Sequence, residues 1–509
     1  VQHDAERPAV TEAVSDDESL IELVRRRGDT SPDHPFLEDA RSDRALTYGG
    51  FADAVSTWTS TFDALDIAPS GGVLVDVGDP LSFAVVHVAA LASGRRSIPV
   101  DTGQPVSEPA RLAELLRGAS LVVSDRDEDA TIDGVPAARI DPASFAVVGL
   151  RGGSVPPSNP DALDTGSVVL FTSGSTGTPK GVELPEPQLM FVARAVADHN
   201  AMTDRDRGFN SLPLFHVNAE VVGVLSTLVA GATLVLDRRF RRTGFWELLA
   251  ERRITWLNAV PAVLAVLAKT GPLDLPAGLR FVRSASAPLP DPVREALGDT
   301  PLVISWGMTE GASQITATPL GASPRAGSVG VPVGSEVEVR GDDGAVLPPG
   351  EVGALWIRGQ GIVHRYLFGR ASDRFDDGGW LSTGDLGSVS EDGWVSLAGR
   401  SDDVINRGGE KVYPSEVEDV LLGDARVLEA VVVGRPDPIL GHVPIAYVIA
   451  QPGDEDIDAD AFTAELADRC VAHLTRFRRP VEIIMVPDLP RAPTGKVQRA
   501  RVRAMATTD

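Results

Sequence analysis

LFTSGSTGTPKGVEL, residues 170–184, sets three glycines (Gly174, Gly177 and Gly181) among the hydroxyls of Thr172, Ser173, Ser175, Thr176 and Thr178, with Lys180 just beyond. Such a segment offers bare backbone N–H groups, hydroxyl donors and a cation to an anion. It follows SVVLF (167–171), a β-branched apolar run that reads as a buried strand. It precedes a helical pattern in which Leu189, Val192, Ala193 and Val196 share one face behind Pro185 and Pro187. The expected order is strand, flexible loop, helix. The loop is not a Walker A, because GxxxxGK[ST] needs glycine directly before the lysine and Pro179 stands there. Read alone, it is either an anion cradle or a solvated Ser/Gly linker.

Outward from this stretch, short apolar runs alternate with helical patterns between residues 45 and 400: GVLVDV (72–77), ATLVLD (232–237), ITWLNAV (254–260), LRFVRS (279–284) and PLVISW (301–306). The alternation predicts an α/β fold of layered sheets and helices. Near residue 400 the texture changes to the polar GRSDDVINRGGEKVYP, and a compact strand and helix series follows. In that series Ser415 and Glu418 read as a capping box and Gly423 as a helix stop. VLEAVVVG and HVPIAYVIA read as strands, and Phe462, Leu466 and Cys470 line one helix face. A second domain of roughly a hundred residues is expected after the break.

The 509 residues exceed one ordinary domain, and 43% hydrophobic with 23% charged residues is a globular composition. The formal charge of −25, from 47 Lys and Arg against 72 Asp and Glu, opposes a nucleic-acid role. The run Arg238, Arg239, Arg241 and Arg242 reads as a solvated loop, as do the acidic stretches 124–133 and 452–460. A single cysteine, Cys470, excludes an internal disulfide and a cysteine zinc site, and fits a cytoplasmic setting. No span reaches about 18 consecutive apolar residues and VQHDAERPAV has no apolar signal core, so neither membrane insertion nor export is expected. The eight histidines form no HExxH, no serine sits in GxSxG, and GxG at Gly359 and Gly361 is followed by His364 where GxGxxG needs glycine.

Four further stretches stand in order with the opening one: SASAPLP (284–290), SWGMTEG (305–311), STGDLG (382–387) with GRSDDVINRGGEKVYP (399–414), and PRAPTGKVQR (490–499). Together they resemble the AMP-forming acyl-adenylate superfamily of acyl-CoA synthetases, luciferases and adenylation domains, over nearly the whole chain. The resemblance implies a large multi-layer N-terminal domain (1–398), a hinge (399–403) and a small mobile α+β C-terminal domain (404–509). It implies ATP, Mg²⁺ and coenzyme A as the molecules handled. Thr172, Ser173, Gly174, Ser175, Thr176, Gly177 and Lys180 match the clamp for the β- and γ-phosphates. Trp306, Gly307 and Met308 match the segment at adenine, with Thr309 at the α-phosphate and Glu310 as the Mg²⁺ carboxylate. Ser286, Ala287 and Pro288 match the backbone bordering the base, and Asp385 with Arg400 the pair on the ribose hydroxyls. Lys496 matches the mobile catalytic lysine, Asp402 the hinge residue, and Gly408 with Gly409 the lining of the thiol tunnel.

PLFHVNA (213–219) resembles the acyl-CoA synthetase branch, in which His216 borders the acyl pocket near the reacting carboxylate. Amino-acid adenylation domains place an aspartate near here, and this stretch has none. Val217, Asn218, Ala219, Gly223, Asn258, Ala259, Ser284, Ala285 and Trp306 fall at pocket positions, and since most of them are small they imply a roomy, largely apolar site for a monocarboxylate. RSASAP also resembles the branch acting on small dicarboxylic acids, in which Arg283 reads a second carboxylate. A ligase that loads a phosphopantetheinyl carrier protein shares the first half-reaction, and a nucleotide-binding module without catalysis shares the fold. Three stretches depart from the family pattern: GVELPEPQL, HRYLFGRAS and SAS.

Overall fold

The computed structural model describes residues 18–102, 119–126, 135–153, 163–172, 180–268, 273, 275–367, 372–451, 458–491 and 497–506. Two large, mainly parallel sheets form its centre. The seven-stranded sheet runs Val147–Arg151, Ala137–Ile140, Ala119–Ser124, Gly72–Asp76, Arg96–Pro99, Ser167–Thr172 and Lys180–Pro185. The nine-stranded sheet runs Val331–Pro332, Thr316–Ala317, Leu302–Trp306, Phe281–Ala285, Trp256–Ala259, Arg207–Asn210, Thr233–Leu236, Pro35–Asp39 and Ala45–Thr47. Every residue of Gly72–Asp76 is buried, as a near-continuous apolar run requires of a strand covered on both faces. The helix Pro80–Ala92 is apolar all round and packs against strands of both sheets, with Asp79 accepting from Ser82 N at its start.

All six apolar runs form strands, but the order around the opening stretch differs from expectation. Lys180–Pro185 is itself a strand, paired antiparallel with Ser167–Thr172 from Thr172↔Lys180 to Ser167↔Pro185. The loop therefore closes a hairpin, and the helix Glu186–His199 follows it. The strand holds because Val182 and Leu184 are buried in the core while the Glu183 carboxylate takes the Arg96 guanidinium at 2.6 and 3.1 Å.

A four-stranded antiparallel sheet (Glu336–Arg340, Gly353–Arg358, Leu381–Val389, Val395–Arg400) carries the chain to a short turn, Ser401–Asp403. Beyond it, Val427–Asp437 and Gly441–Ala450 pair antiparallel, joined by Ile405–Arg407, Glu410–Val412 and Glu482–Met485. The helices Pro414–Leu422 and Ala459–His473 supply Val417, Leu421, Phe462, Leu466 and Cys470 to the core of this small unit. Burial there pushes the Cys470 thiol up to about 11, as befits packing rather than nucleophilic chemistry. The capping box does not form. The helix begins at Pro414 with Tyr413 as its cap, so Ser415 already lies inside it and donates instead to Ala398 O at 2.5 Å. Glu418 turns inward, accepting from Val432 N at 2.7 Å and from Arg499 at 2.6 and 2.7 Å. Gly423 is the helix stop.

Candidate active site

The paired strand ends Thr172 and Lys180 lie at one end of the seven-stranded sheet. Ser173, Gly174, Ser175, Thr176 and Gly177 lie outside the described residues, as do Lys496 and the side chains of Thr172 and Lys180. The rest of the site is built where Leu302–Trp306 leaves the nine-stranded sheet. Gly307 makes the exit possible, because a Cβ there would fall 1.6 Å from the Ser313 carbonyl oxygen. A single turn, Thr309–Gly311, follows, and the chain returns through Ala312 and Ser313 at φ 47° and 89°. Two adjacent non-glycine residues in the left-handed region are strained, and such strain collects where a side chain must be held for chemistry. Here the held side chain is Glu310, 5% exposed.

Tyr366 donates to Glu310 Oε1 at 2.6 Å, and Arg374 reaches the same oxygen at 3.1 Å while also bonding the Tyr366 hydroxyl. Burial, then the neighbouring Glu310 charge, holds the Tyr366 phenol well above its ordinary pKa, so it stays a donor. Both bonds land on Oε1. Sequence reasoning found neither Tyr366 nor Arg374, since neither stands at a recognisable spacing from Glu310.

Asp385 sits directly opposite Arg400 in the antiparallel pair, and their side chains meet at 2.8 Å. The second carboxylate oxygen accepts the Trp306 indole N–H at 2.9 Å. Trp306, Asp385 and Arg400 thus form one connected group beside the Thr309–Gly311 turn. Ser286, at φ 79°, turns the chain out of its strand so that Ser286, Ala287 and Pro288 are exposed at the same edge. Gly307, Met308 and Thr309 are partly exposed there. Asp402 is exposed in the turn Ser401–Asp403. Gly408 and Gly409, at φ 61° and 93°, make the two-residue turn of the hairpin Ile405–Arg407 to Glu410–Val412, which needs positive φ at both places.

The acyl-pocket positions divide by sheet geometry. Val217 is buried just before the π-helical segment Asn218–Leu225 and Ala219 within it, and Gly223 in that segment faces Leu234 and Asn210. His216 precedes the segment, partly exposed, its ring 4.5 Å from that of Phe215. Asn258 bonds Asn218 and so lies on the π-helix face of its strand. Ala259 packs instead in the core with Leu257 and Val282, and Ser284, in register with it, follows to that opposite side. Alternation returns Ala285 to the Asn258 side. The expected apolar wall is interrupted on that side by Arg283, fully buried and bonded to Asn218, Asn258, Ser305 and Gln314. Gln314 and Ser305 had no signal in the sequence, because their partner lies on another strand.

A large domain of two stacked α/β sheets joined to a small α+β unit, with a polar site at the strand ends, is the architecture of adenylate-forming enzymes. The family model of AMP-binding enzymes matches residues 24–367, and that of the AMP-binding enzyme C-terminal domain matches residues 416–496. The chain belongs to this family. A sulfoacetate–CoA ligase of Cupriavidus necator is 33% identical over 95% of this chain and 97% of its own length. A long-chain-fatty-acid–CoA ligase of Mycobacterium tuberculosis is 28% identical over 94% of this chain and 97% of its own. The solved structure of o-succinylbenzoate coenzyme A synthetase from Bacillus subtilis with ATP and magnesium ion superposes at TM-score 0.79, with 26% identity, over 94% of this chain and 98% of that one. The chain is accordingly an ATP-dependent, AMP-forming acid:CoA ligase of the acyl-CoA synthetase branch. Among the described residues, no helix is long and apolar enough to cross a membrane.

Proposed function

We propose that the enzyme works by two successive closures about the Ser401–Asp403 turn, the first making acyl-AMP and the second acyl-CoA. The observation that carries this is the Trp306–Asp385–Arg400 group. It stands beside Glu310 in the large domain, and Arg400 is the last residue before the turn into the small one. In the first step a substrate carboxylate oxygen attacks the α-phosphorus of ATP, an O–P bond forms, and pyrophosphate leaves. Both reactants are anions, so held cations are required. The loop 172–180 takes the β- and γ-phosphates, Asp385 and Arg400 the ribose, and the backbone of Ser286, Ala287 and Pro288 borders the base. Thr309 contacts the α-phosphate, His216 borders the carboxylate, and Lys496 supplies positive charge at the reacting oxygens.

Glu310 fits a divalent cation, since both side-chain bonds it makes among the described residues are on Oε1. No cluster of three or more His, Cys, Asp or Glu among the described residues could hold a metal alone, so Mg²⁺ would arrive with the nucleotide, as its preference for phosphate oxygens favours. When bound it neutralises phosphate charge. In the second step the thiol sulfur attacks the acyl carbonyl, the C–S bond forms, AMP leaves, and the thiol proton passes to solvent. Gly408 and Gly409 are exposed and line the path of the thiol arm in this reading. A cytoplasmic location accords with these reactants and with one buried cysteine.

The test is Lys496→Ala. Acid-dependent pyrophosphate release should fall by at least about 10²-fold, as for other transition-state charge contacts, with ATP affinity retained. Adenylation within a factor of a few of wild type removes Lys496 from the reaction. Offering coenzyme A or a phosphopantetheinylated carrier protein after the first step should give thioester on coenzyme A; loading of the carrier alone overturns the acceptor.

A further inference from the structure

Behind the acyl wall a histidine and an acid meet in the core. His87 lies on the helix Pro80–Ala92 and Glu220 in the π-helical segment Asn218–Leu225, each 1% exposed. His87 Nε2 stands 3.0 Å from Glu220 Oε1, and His87 Nδ1 is 2.7 Å from the Ser97 hydroxyl on the strand Arg96–Pro99. Serine, histidine and an acid are the groups of a hydrolytic triad, but Ser97 is fully buried, so no substrate reaches it. The line of three instead ties two layers together. It runs from the seven-stranded sheet, through a helix, to the segment that packs on the nine-stranded sheet. Beyond this contact neither oxygen of Glu220 has a hydrogen-bond partner among the described residues. Buried ionic groups of this kind add little to stability and are best attested as devices that fix register.

The segment has a register to fix. Asn258 Nδ2 donates to Asn218 Oδ1 at 3.0 Å, and a Cβ on Gly223 would lie 3.8 Å from Asn210 Cγ. Asn210 and Asn258 stand side by side on adjacent parallel strands. Two residues five apart in the sequence therefore face one pair of strands. An α-helix, at 3.6 residues per turn, would set them about 140° apart, whereas the i→i+5 bonding of a π-helix closes its turn at that interval. Rewound as an α-helix from Asn218, the segment would bring Val222 to the place of Gly223, and an isopropyl group would enter the acyl side. Most π-helices are single turns, and this one runs for eight residues. Its far end is held by the hydroxyls of Ser226 and Thr227, which donate to Val222 O and Gly223 O at 2.5 and 2.6 Å. Its near end is held on the strand side by Asn218 and, from behind, by Glu220 against His87.

We propose that His87 and Glu220 are positioning residues that hold the π-helical register of the acyl wall and thereby set how large an acid the site admits. This rests on the acid:CoA ligase reading. With the pair in place, Gly223 leaves open the space beside Asn210 and Asn258. Without it, Val222 fills that space, and the acids lost are the larger ones. The nucleotide site lies on other elements, so ATP binding is left as it was.

The experiment measures kcat and KM for acid-dependent pyrophosphate release, and thioester formation with coenzyme A, over propionate, butyrate, phenylacetate and octanoate, beside KM for ATP and the melting temperature. The variant joins His87→Leu to Glu220→Leu, since packed apolar residues commonly replace a buried ion pair without loss of stability. Its melting temperature and its KM for ATP should stay close to wild type. Its kcat/KM for the largest acid that wild type uses should fall by at least about tenfold relative to propionate, through KM, the size of effect that a methylene or two has in a closed pocket. Adding Val222→Gly should restore the larger acid, because the rewound segment then presents a glycine again. Glu220→Gln, which keeps a polar contact with His87, should keep the wild-type profile. Glu220→Leu alone leaves His87 bonded to Ser97, should act like the double variant, and serves if that variant does not fold. A wild-type acid profile in the leucine variants overturns the role of the pair and leaves the ligase standing. So does a loss that falls equally on every acid and on ATP, or one that Val222→Gly does not reverse. Pyrophosphate release without thioester overturns the ligase reading alone, and silence of wild type with every acid overturns both.

Discussion

Trp306, which by resemblance stands in the segment at adenine, offers a ring face to a base, and the structure gives its edge a second task. The residue is 6% exposed, and the indole N–H donates to Asp385. A carboxylate also held by Arg400 is fixed in direction, and hydrogen bonds to a charged group contribute about 1.5 to 3 kcal/mol. Trp306→Phe keeps an aromatic surface but loses that bond. ATP binding by calorimetry should weaken by at least about tenfold in Trp306→Phe, since ~1.5 kcal/mol is the low end of that range, and nearly as much as in Trp306→Ala. If phenylalanine binds ATP like wild type while alanine does not, the ring face carries the affinity and the bond to Asp385 is incidental.

The small unit shows what a linear reading of an element can and cannot recover. The spacing of Phe462, Leu466 and Cys470 was legible because burial on one face repeats at the helix period, and VLEAVVVG and HVPIAYVIA because each is a short apolar run, buried almost continuously along its middle. The partner of Glu418 was not, because Arg499 lies 81 residues away and only the fold brings it near. The same limit hid Ser305 and Gln314 beside Arg283, and Tyr366 and Arg374 beside Glu310. The strand Lys180–Pro185 escaped for a related reason, since its middle residue is charged and becomes a core residue only when Arg96 meets it. Glu418 is deeply buried, its carboxyl raised by burial and held down by Arg499, so it needs that arginine to stay ionised. Removing the arginine leaves an uncompensated buried acid, a loss of about 3 to 5 kcal/mol. Arg499→Met should lower the unfolding temperature of the protein markedly, and Glu418→Gln added to it should restore part of the loss. An Arg499→Met protein as stable as wild type means the pair contributes little.

At the scale of the molecule, the two domains touch through contacts that are cheap to leave. Lys411 meets Asp342 at 3.0 Å with both side chains more than half exposed, and Ser415 reaches Ala398 O. Exposed pairs of this kind contribute roughly 0 to 1 kcal/mol, so a rotation about Ser401–Asp403 loses little on this side. The turn is gripped by the small domain's last described helix, Arg499–Met505. Arg503 donates to Asp402 O at 3.3 Å and pairs with Asp403 at 2.9 Å. Asp402→Pro fixes φ near −65° and removes the N–H, which should hold the turn in one arrangement. Acyl-AMP should then still form at close to the wild-type rate, seen as a stoichiometric release of pyrophosphate, while thioester formation falls by at least about 10²-fold, since the second step needs its reacting groups positioned by the rotation. Arg503→Gln serves as the complementary control, because it removes the grip on Asp402 O and Asp403 without fixing the backbone, and it should turn over coenzyme A at nearly the wild-type rate. If Asp402→Pro forms thioester as well as Arg503→Gln does, the domains do not need to rotate about Asp402, and both half-reactions run from one arrangement.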